Sequence, residues 1–145
     1  MHIQLPEVVV RDTGTPTGRG AYAGRDFAPD ELVEACPVVL FNGSFGSVPD
    51  AVRKLLFNWG HLAGTSAMHC LALGYGSLYN HANPANMRYE ADAGLGLLRF
   101  RASRAIASGE ELTINYNAVG GGSQSAEDTW FNRMGVAVYD ADTSG

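Results

Sequence analysis

The sequence predicts a mainly β protein built of several small sheets with one short helical insert. Three observations carry that reading. Short β-branched runs alternate with dense clusters of turn formers along most of the chain. Glycine is abundant, 18 of 145 residues, about 12% against a usual value of about 7%, and is spread throughout. One stretch alone shows helical spacing of apolar residues.

Glu7–Arg11 (EVVVR) reads as a first strand, closed by the turn cluster DTGTPTGRG, with Ala21–Arg25 (AYAGR) as its partner. After a turn at Phe27–Glu31, Leu32–Phe41 (LVEACPVVLF) reads as an extended segment interrupted at Pro37. Pro49-Asp50 then opens AVRKLLFNW, a helix of about two to three turns, with Val52, Leu55, Leu56 and Trp59 on one apolar face. Ser66–Tyr75 returns to strand composition. Asn86–Glu90 and Gly94–Ala102 suit a hairpin, and along Leu98-Arg99-Phe100-Arg101-Ala102 apolar and basic residues alternate, as on a strand with one wet face. Leu112–Tyr116 is a last strand. Gly120–Ser125 (GGGSQS) reads as a flexible linker, Thr129–Tyr139 as apolar sequence packing back on the domain, and Asp140–Gly145 as a frayed end. No internal repeat points to a solenoid.

Length and charge narrow the function. The 145 residues suit one domain, with 46% hydrophobic residues to fill its core. No apolar run reaches membrane-spanning length, and the start MHIQLPEVVV lacks the layout of a secretory signal. Cys36 and Cys70 are too few for a disulfide framework or zinc cluster, and read as reduced thiols of an intracellular protein. A net charge of −5 opposes binding to a phosphate backbone and suits a cationic partner such as a lysine-rich peptide. His2, His61 and His69 have no partners at metal-ligand spacing, so no metal is expected.

Four segments in order carry a resemblance: Gly18-Arg19-Gly20-Ala21-Tyr22-Ala23; Gly74-Tyr75-Gly76-Ser77-Leu78-Tyr79-Asn80-His81 followed by Asn86; Gly109-Glu110-Glu111-Leu112-Thr113-Ile114-Asn115-Tyr116; and Trp130-Phe131. Together they resemble the SET domain of protein-lysine methyltransferases, over roughly residues 7–131. Singly these motifs say little; their order and spacing make the signal. Two positions depart from the family's pattern. Pro84 falls one place early before Asn86, and Asn115 stands where an aspartate is usual. The family's cysteine-rich zinc-binding tail is absent from this sequence.

The resemblance implies a β-clip-like fold in which the C-terminal strand threads beneath a loop in a knot-like passage. It lays out residues 1–145 as a single domain: N-terminal strands at 7–41, a variable, substrate-selecting insert at 42–72, a catalytic core at 73–117 and a linker and tail at 118–145. It implies S-adenosylmethionine as methyl donor, with S-adenosylhomocysteine as product, and a lysine in a basic, histone-like or other protein segment as acceptor. Tyr116 matches the family's essential tyrosine, beside the transferring methyl. Tyr89 fits either a tyrosine lining the lysine channel, favouring low-order methylation, or a sheet-surface aromatic. Arg19 and Gly20 would meet the cofactor through their backbone, the glycine permitting close approach. Asn80 would meet its amino-acid end, the His81 backbone its adenine. Trp130 would stack on the adenine ring or, alternatively, pack in the core. Tyr22 takes no assignment, and Asn86 is expected to hold a turn.

The chemistry fits residues of these types. A free lysine, with a pKa of about 10.4, is charged at neutral pH, and an apolar channel favours the neutral amine. Alignment of nitrogen, methyl and sulfur is then a matter of positioning, and oxygens around a sulfonium are favourable. No triad or metal cluster is required. A non-catalytic module binding a basic peptide is the competing reading, with an unrelated β protein behind it. No nucleic acid or membrane is expected as partner, the oligomeric state stays open with a homodimer included, and the expected compartment is the cytoplasm, or the nucleus in a eukaryote.

Overall fold

A computed structural model of the chain describes residues 2–42, 47–64, 68–118 and 120–125. Its strands form two curled sheets. In the first, β1 (Val8–Asp12), β2 (Arg19–Ala23), β9 (Glu111–Ile114) and β6 (Asn80–His81) lie side by side in that order. In the second the order is β4 (Leu56–Asn58), β5 (His69–Ala72), β3 (Leu32–Phe41), β8 (Leu97–Ala102) and β7 (Met87–Asp92). The architecture is the mainly β one expected, with short helices α1 (Asp50–Arg53) and α2 (Trp59–Ala63) in the insert.

β3 organises the second sheet. Its first half pairs with β8, from Leu32↔Arg101 to Pro37↔Leu97, and its second half with β5, from Val38↔Ala72 to Phe41↔His69. Pro37 does not interrupt it as expected. The proline lies where the strand changes partner; its carbonyl accepts from the Leu73 N–H, while the Val38 N–H donates to Gly96. A missing N–H costs nothing there.

The expected helix from Pro49 through Trp59 is also corrected. Helix α1 ends after one turn, and Leu56–Asn58 pair with β5 as a strand. Leu56 and Phe57 are adjacent and both buried, which an extended segment between two apolar layers allows. Phe57 then meets Tyr89 and Phe100 edge-on, at 5.2 and 6.0 Å between ring centroids. Asn58 caps α2, its Oδ1 accepting from the His61 N–H, and Gly64 ends that helix with φ of 69°.

The alternation read on β8 is present: Leu98, Phe100 and Ala102 are buried, with Arg99 and Arg101 between them paired to Asp92 and Glu90. The core gathers Phe100, Tyr79, Tyr89, Met87 and the free thiols Cys36 and Cys70. Burial pushes the Cys70 thiol up to about 12, so it stays protonated.

The glycine-rich stretch is not a free linker. The Tyr89 N–H donates to Gly121, the Ala85 N–H to Ser123, and the Asn83 side-chain amide to Ser125, so residues 121–125 lie strapped along the 83–89 segment. Gly121 has φ of 83°, and a Cβ there would collide with the Tyr89 carbonyl. The expected apolar segment 129–139, with Trp130, lies outside the described residues. Among the described residues no helix is long and apolar enough to cross a membrane.

Candidate functional site

The first sheet brings three distant stretches together. β9 pairs antiparallel with β2 (Ala21↔Leu112, Tyr22↔Glu111) and parallel with β6 (Asn80↔Thr113, His81↔Ile114). The Arg19–Gly20, Asn80–His81 and Glu111–Tyr116 segments thus lie next to one another. Of the residues predicted to form a site, Arg19, Gly20, Asn80, His81 and Tyr116 are brought together; Trp130 lies outside the described residues.

Tyr116 is half-buried just past the end of β9. Its hydroxyl donates to the Tyr79 carbonyl at 2.6 Å, and its N–H donates to His81 Nδ1 at 3.1 Å. The two rings lie 5.4 Å apart and tilted. Because Nδ1 accepts, the neutral imidazole carries its proton on Nε2. Burial, with a smaller contribution from the neighbouring Glu111 carboxylate, raises the Tyr116 phenol above its ordinary value.

Asn80 spans the seam. Its Nδ2 donates to the Arg19 carbonyl and to Glu111 Oε2, both at 2.8 Å. The amide's donors are thereby spent, which fixes its orientation. Gly20 is closely packed within the protein: a Cβ there would stand 2.5 Å from Glu111 Oε2 and 2.8 Å from Thr13 Cγ2, so those side chains would have to shift.

Asn86 clamps the same strand. Its Nδ2 donates to the Glu111 carbonyl at 2.7 Å, and its Oδ1 accepts from the Thr113 N–H at 2.9 Å. Asn115 is fully buried, with Oδ1 accepting from the Asn117 N–H and Nδ2 lacking a partner among the described residues.

Tyr89 is buried rather than on the sheet surface. Its ring packs between Phe57 and Phe100, and its hydroxyl donates to the Ala118 carbonyl at 3.0 Å, just beyond Tyr116. Burial first, then the nearby Cys70 and Tyr116, raise its phenol.

Three residues escaped the sequence reading as site members. Glu111 was visible in the Gly109-Glu110-Glu111-Leu112 run, but its partner Asn80 is 31 positions away. Glu34 is buried and accepts the Tyr79 hydroxyl at 2.6 Å; an acid inside the apolar LVEACPVVL run was its only signal. Tyr79 is 1% exposed and joins Glu34 to Tyr116.

The site is rich in oxygen: the Arg19 and Tyr79 carbonyls, Asn80 Oδ1, the Glu111 carboxylate and the Tyr116 hydroxyl. Among the described residues Glu111 forms no ion pair, and no group of three or more His, Cys, Asp or Glu residues could hold a metal. Oxygen atoms gathered in this way make the local potential negative, which suits a cationic group.

The comparisons agree with this geometry. Residues 18–117 match the SET domain family. A histone-lysine N-methyltransferase of Schizosaccharomyces pombe, specific for lysine 37 of histone H3, is 27% identical over 107 residues, 74% of this chain and 71% of the relative. The fold is similar to that of a candidate histone methyltransferase from Plasmodium falciparum, with TM-score 0.61 and 22% identity over 79% of this chain and 95% of that one. It is also similar to the Neurospora SET domain protein DIM-5, a histone lysine methyltransferase (TM-score 0.58, 20% identity, 75% and 51% covered). Motif order, sheet register and these likenesses agree, and the chain belongs to the SET-domain family.

Proposed function

We propose that this chain is a protein-lysine N-methyltransferase that uses S-adenosylmethionine. The observation that carries the reading is the convergence of the Asn80–His81 strand with Tyr116, through the bonds of the Tyr116 hydroxyl to the Tyr79 carbonyl and of its N–H to His81. Membership of the SET family and likeness to a histone-lysine methyltransferase support it.

S-adenosylmethionine, when bound, supplies a methyl group on a positively charged sulfur. The residues suited to hold it are Arg19 and Gly20 through their backbone, Asn80 through its Oδ1, and His81 through its main chain, with Trp130, assigned by the resemblance alone, as the aromatic platform. Glu111 fixes the Asn80 amide by accepting its Nδ2 proton. Tyr116, its hydroxyl oriented by the Tyr79 carbonyl, keeps an oxygen beside the reacting centre and stays protonated through neutral pH. Catalysis in such a site is alignment and exclusion of water rather than acid–base exchange.

The acceptor is a lysine in a basic protein segment, a histone-like tail being one example, in keeping with the net charge of −5. Tyr89, close behind Tyr116, narrows the acceptor channel and favours low-order methylation. Target choice resides in the 42–72 insert and the 118–145 tail, and the protein works inside the cell.

Calorimetric titration with S-adenosylmethionine tests the reading. Saturable one-site binding, abolished in Asn80→Ala, is expected. No detectable heat would instead favour a non-catalytic module that binds basic peptides.

A further inference from the structure

Glu34 stands in the middle of β3 with 5% of its surface exposed. A carboxylate withdrawn from water is costly unless both its oxygens are satisfied. Here they are. Oε1 accepts the Tyr79 hydroxyl at 2.6 Å and Oε2 accepts the Tyr75 N–H at 2.9 Å. Among the described residues no cationic side chain pairs with it. An apolar replacement would leave the Tyr79 hydroxyl and the Tyr75 N–H without acceptors, so the acid holds two groups of this turn in place.

The surrounding chain is shaped to this carboxylate. Gly74 takes φ of 70°, and a Cβ at that position would run into Glu34 Oε2. Gly76 lies so close to Cys36 and Phe100 that a Cβ would stand 3.0 Å from each. The turn that leads into Tyr79-Asn80-His81 is therefore wrapped around Glu34. Tyr79 itself is held at both ends: its hydroxyl by Glu34, its ring against Phe100 at 5.0 Å, and its carbonyl by the Tyr116 hydroxyl at 2.6 Å.

We propose that Glu34 is a positioning residue for methyl transfer: through Tyr79 it fixes the carbonyl that orients the Tyr116 hydroxyl. The role rests on the methyltransferase reading above. Glu34 is assigned no contact with substrate or cofactor; it acts through one side chain and one peptide group. The hydroxyl of Tyr116 can rotate about its C–O bond, and a strong acceptor at a fixed place selects one direction. If the Gly74–Tyr79 turn relaxes, that acceptor moves.

The test uses the full chain labelled with 3-fluorotyrosine, which gives six fluorine resonances, one for each tyrosine. Tyr116→Phe assigns the resonance of interest. Glu34→Gln leaves an amide N–H₂ where a second acceptor is needed, and Tyr79→Phe removes the hydroxyl while keeping the ring. Both are expected to displace the Tyr116 resonance and to lower kcat about tenfold, the worth of roughly one hydrogen bond. KM for S-adenosylmethionine should stay within about twofold, because ground-state binding is not what is lost. Ile106→Val, a core truncation at the Phe27–Ile106 bridge, should lower the melting temperature and leave the Tyr116 resonance in place. Should Glu34→Gln fail to fold, Glu34→Asp and Tyr79→Phe give the same comparison. A Tyr116 resonance unmoved in every Glu34 and Tyr79 variant, or moved equally by Ile106→Val, would overturn the proposal. The fluorine readout needs no turnover, so an inactive wild-type protein overturns the methyltransferase reading separately.

Discussion

The hydroxyl of Tyr116 and the main-chain carbonyl of Tyr79, 37 positions apart in sequence, meet at 2.6 Å. This bond joins the C-terminal strand to the turn that carries Asn80 and His81. It also decides what Tyr116 can do, because its only hydroxyl proton is given to that carbonyl, which fixes the direction in which the oxygen faces. A positively charged methyl donor is the kind of group such an oxygen attracts.

Tyr79, Tyr89 and Tyr116 all hold their phenol protons more tightly than a free tyrosine, in each case through burial first. In the unfolded chain these groups ionise near pH 10, while in the folded chain they remain protonated to higher pH. Above about pH 10 the folded state therefore binds more protons, and stability falls as pH rises. Below that point both states are protonated and these groups contribute a constant amount. Urea midpoints should fall steeply from about pH 10 upward, and less steeply in Tyr116→Phe and Tyr89→Phe. An equally steep fall in both variants would contradict the assignment.

Tyr89→Phe keeps the ring between Phe57 and Phe100 and removes the donor to the Ala118 carbonyl. The expected loss of stability is about 1 kcal/mol. With the hydroxyl gone, more room is left for a methylated amine, and mass spectrometry of the product should show a shift to higher methylation states. Efficient trimethylation by the unaltered protein would remove Tyr89 from this role.

Asn80→Asp replaces a donor by an acceptor facing the Arg19 carbonyl and Glu111 Oε2, each now 2.8 Å away. Like charges so close repel. Affinity for S-adenosylmethionine should drop at least tenfold, about 1.4 kcal/mol, as read by calorimetry. Unchanged affinity would place the cofactor elsewhere.

Gly121→Ala puts a methyl group into the Tyr89 carbonyl and onto a backbone with φ of 83°. The strap over residues 83–89 should detach or strain, at a cost of about 1–3 kcal/mol. Gly122→Ala, whose nearest neighbour is the Gln124 carbonyl at 4.0 Å, should be close to neutral. Equal melting temperatures for the two variants would show that the strap contributes nothing.

What the residues disclosed in advance follows from how local each signal is. The alternation along Leu98–Ala102 needs only one buried face, and it identified β8 correctly. The helix expected across Leu55–Trp59 failed because Leu56–Asn58 are claimed by β5, a pairing that local spacing does not report. The proline in β3 is tolerated for the same reason: its effect depends on which neighbour needs the missing N–H. The placement of Asn80, His81 and Tyr116 was legible through motif order. The roles of Glu111 and Glu34 were not, because each carboxylate acquires a purpose only when its long-range partner arrives. Gly120–Ser125 looked like a linker by composition, yet main-chain hydrogen bonds, which composition does not encode, hold it in place.

The most direct measurement is transfer of a labelled methyl group from S-adenosylmethionine to a panel of lysine-bearing basic proteins, comparing the unaltered chain with Tyr116→Phe. Label on lysine that falls at least a hundredfold in the variant, about 2.7 kcal/mol of transition-state stabilisation, is the predicted result. Equal labelling by both proteins, or none by either, would contradict it.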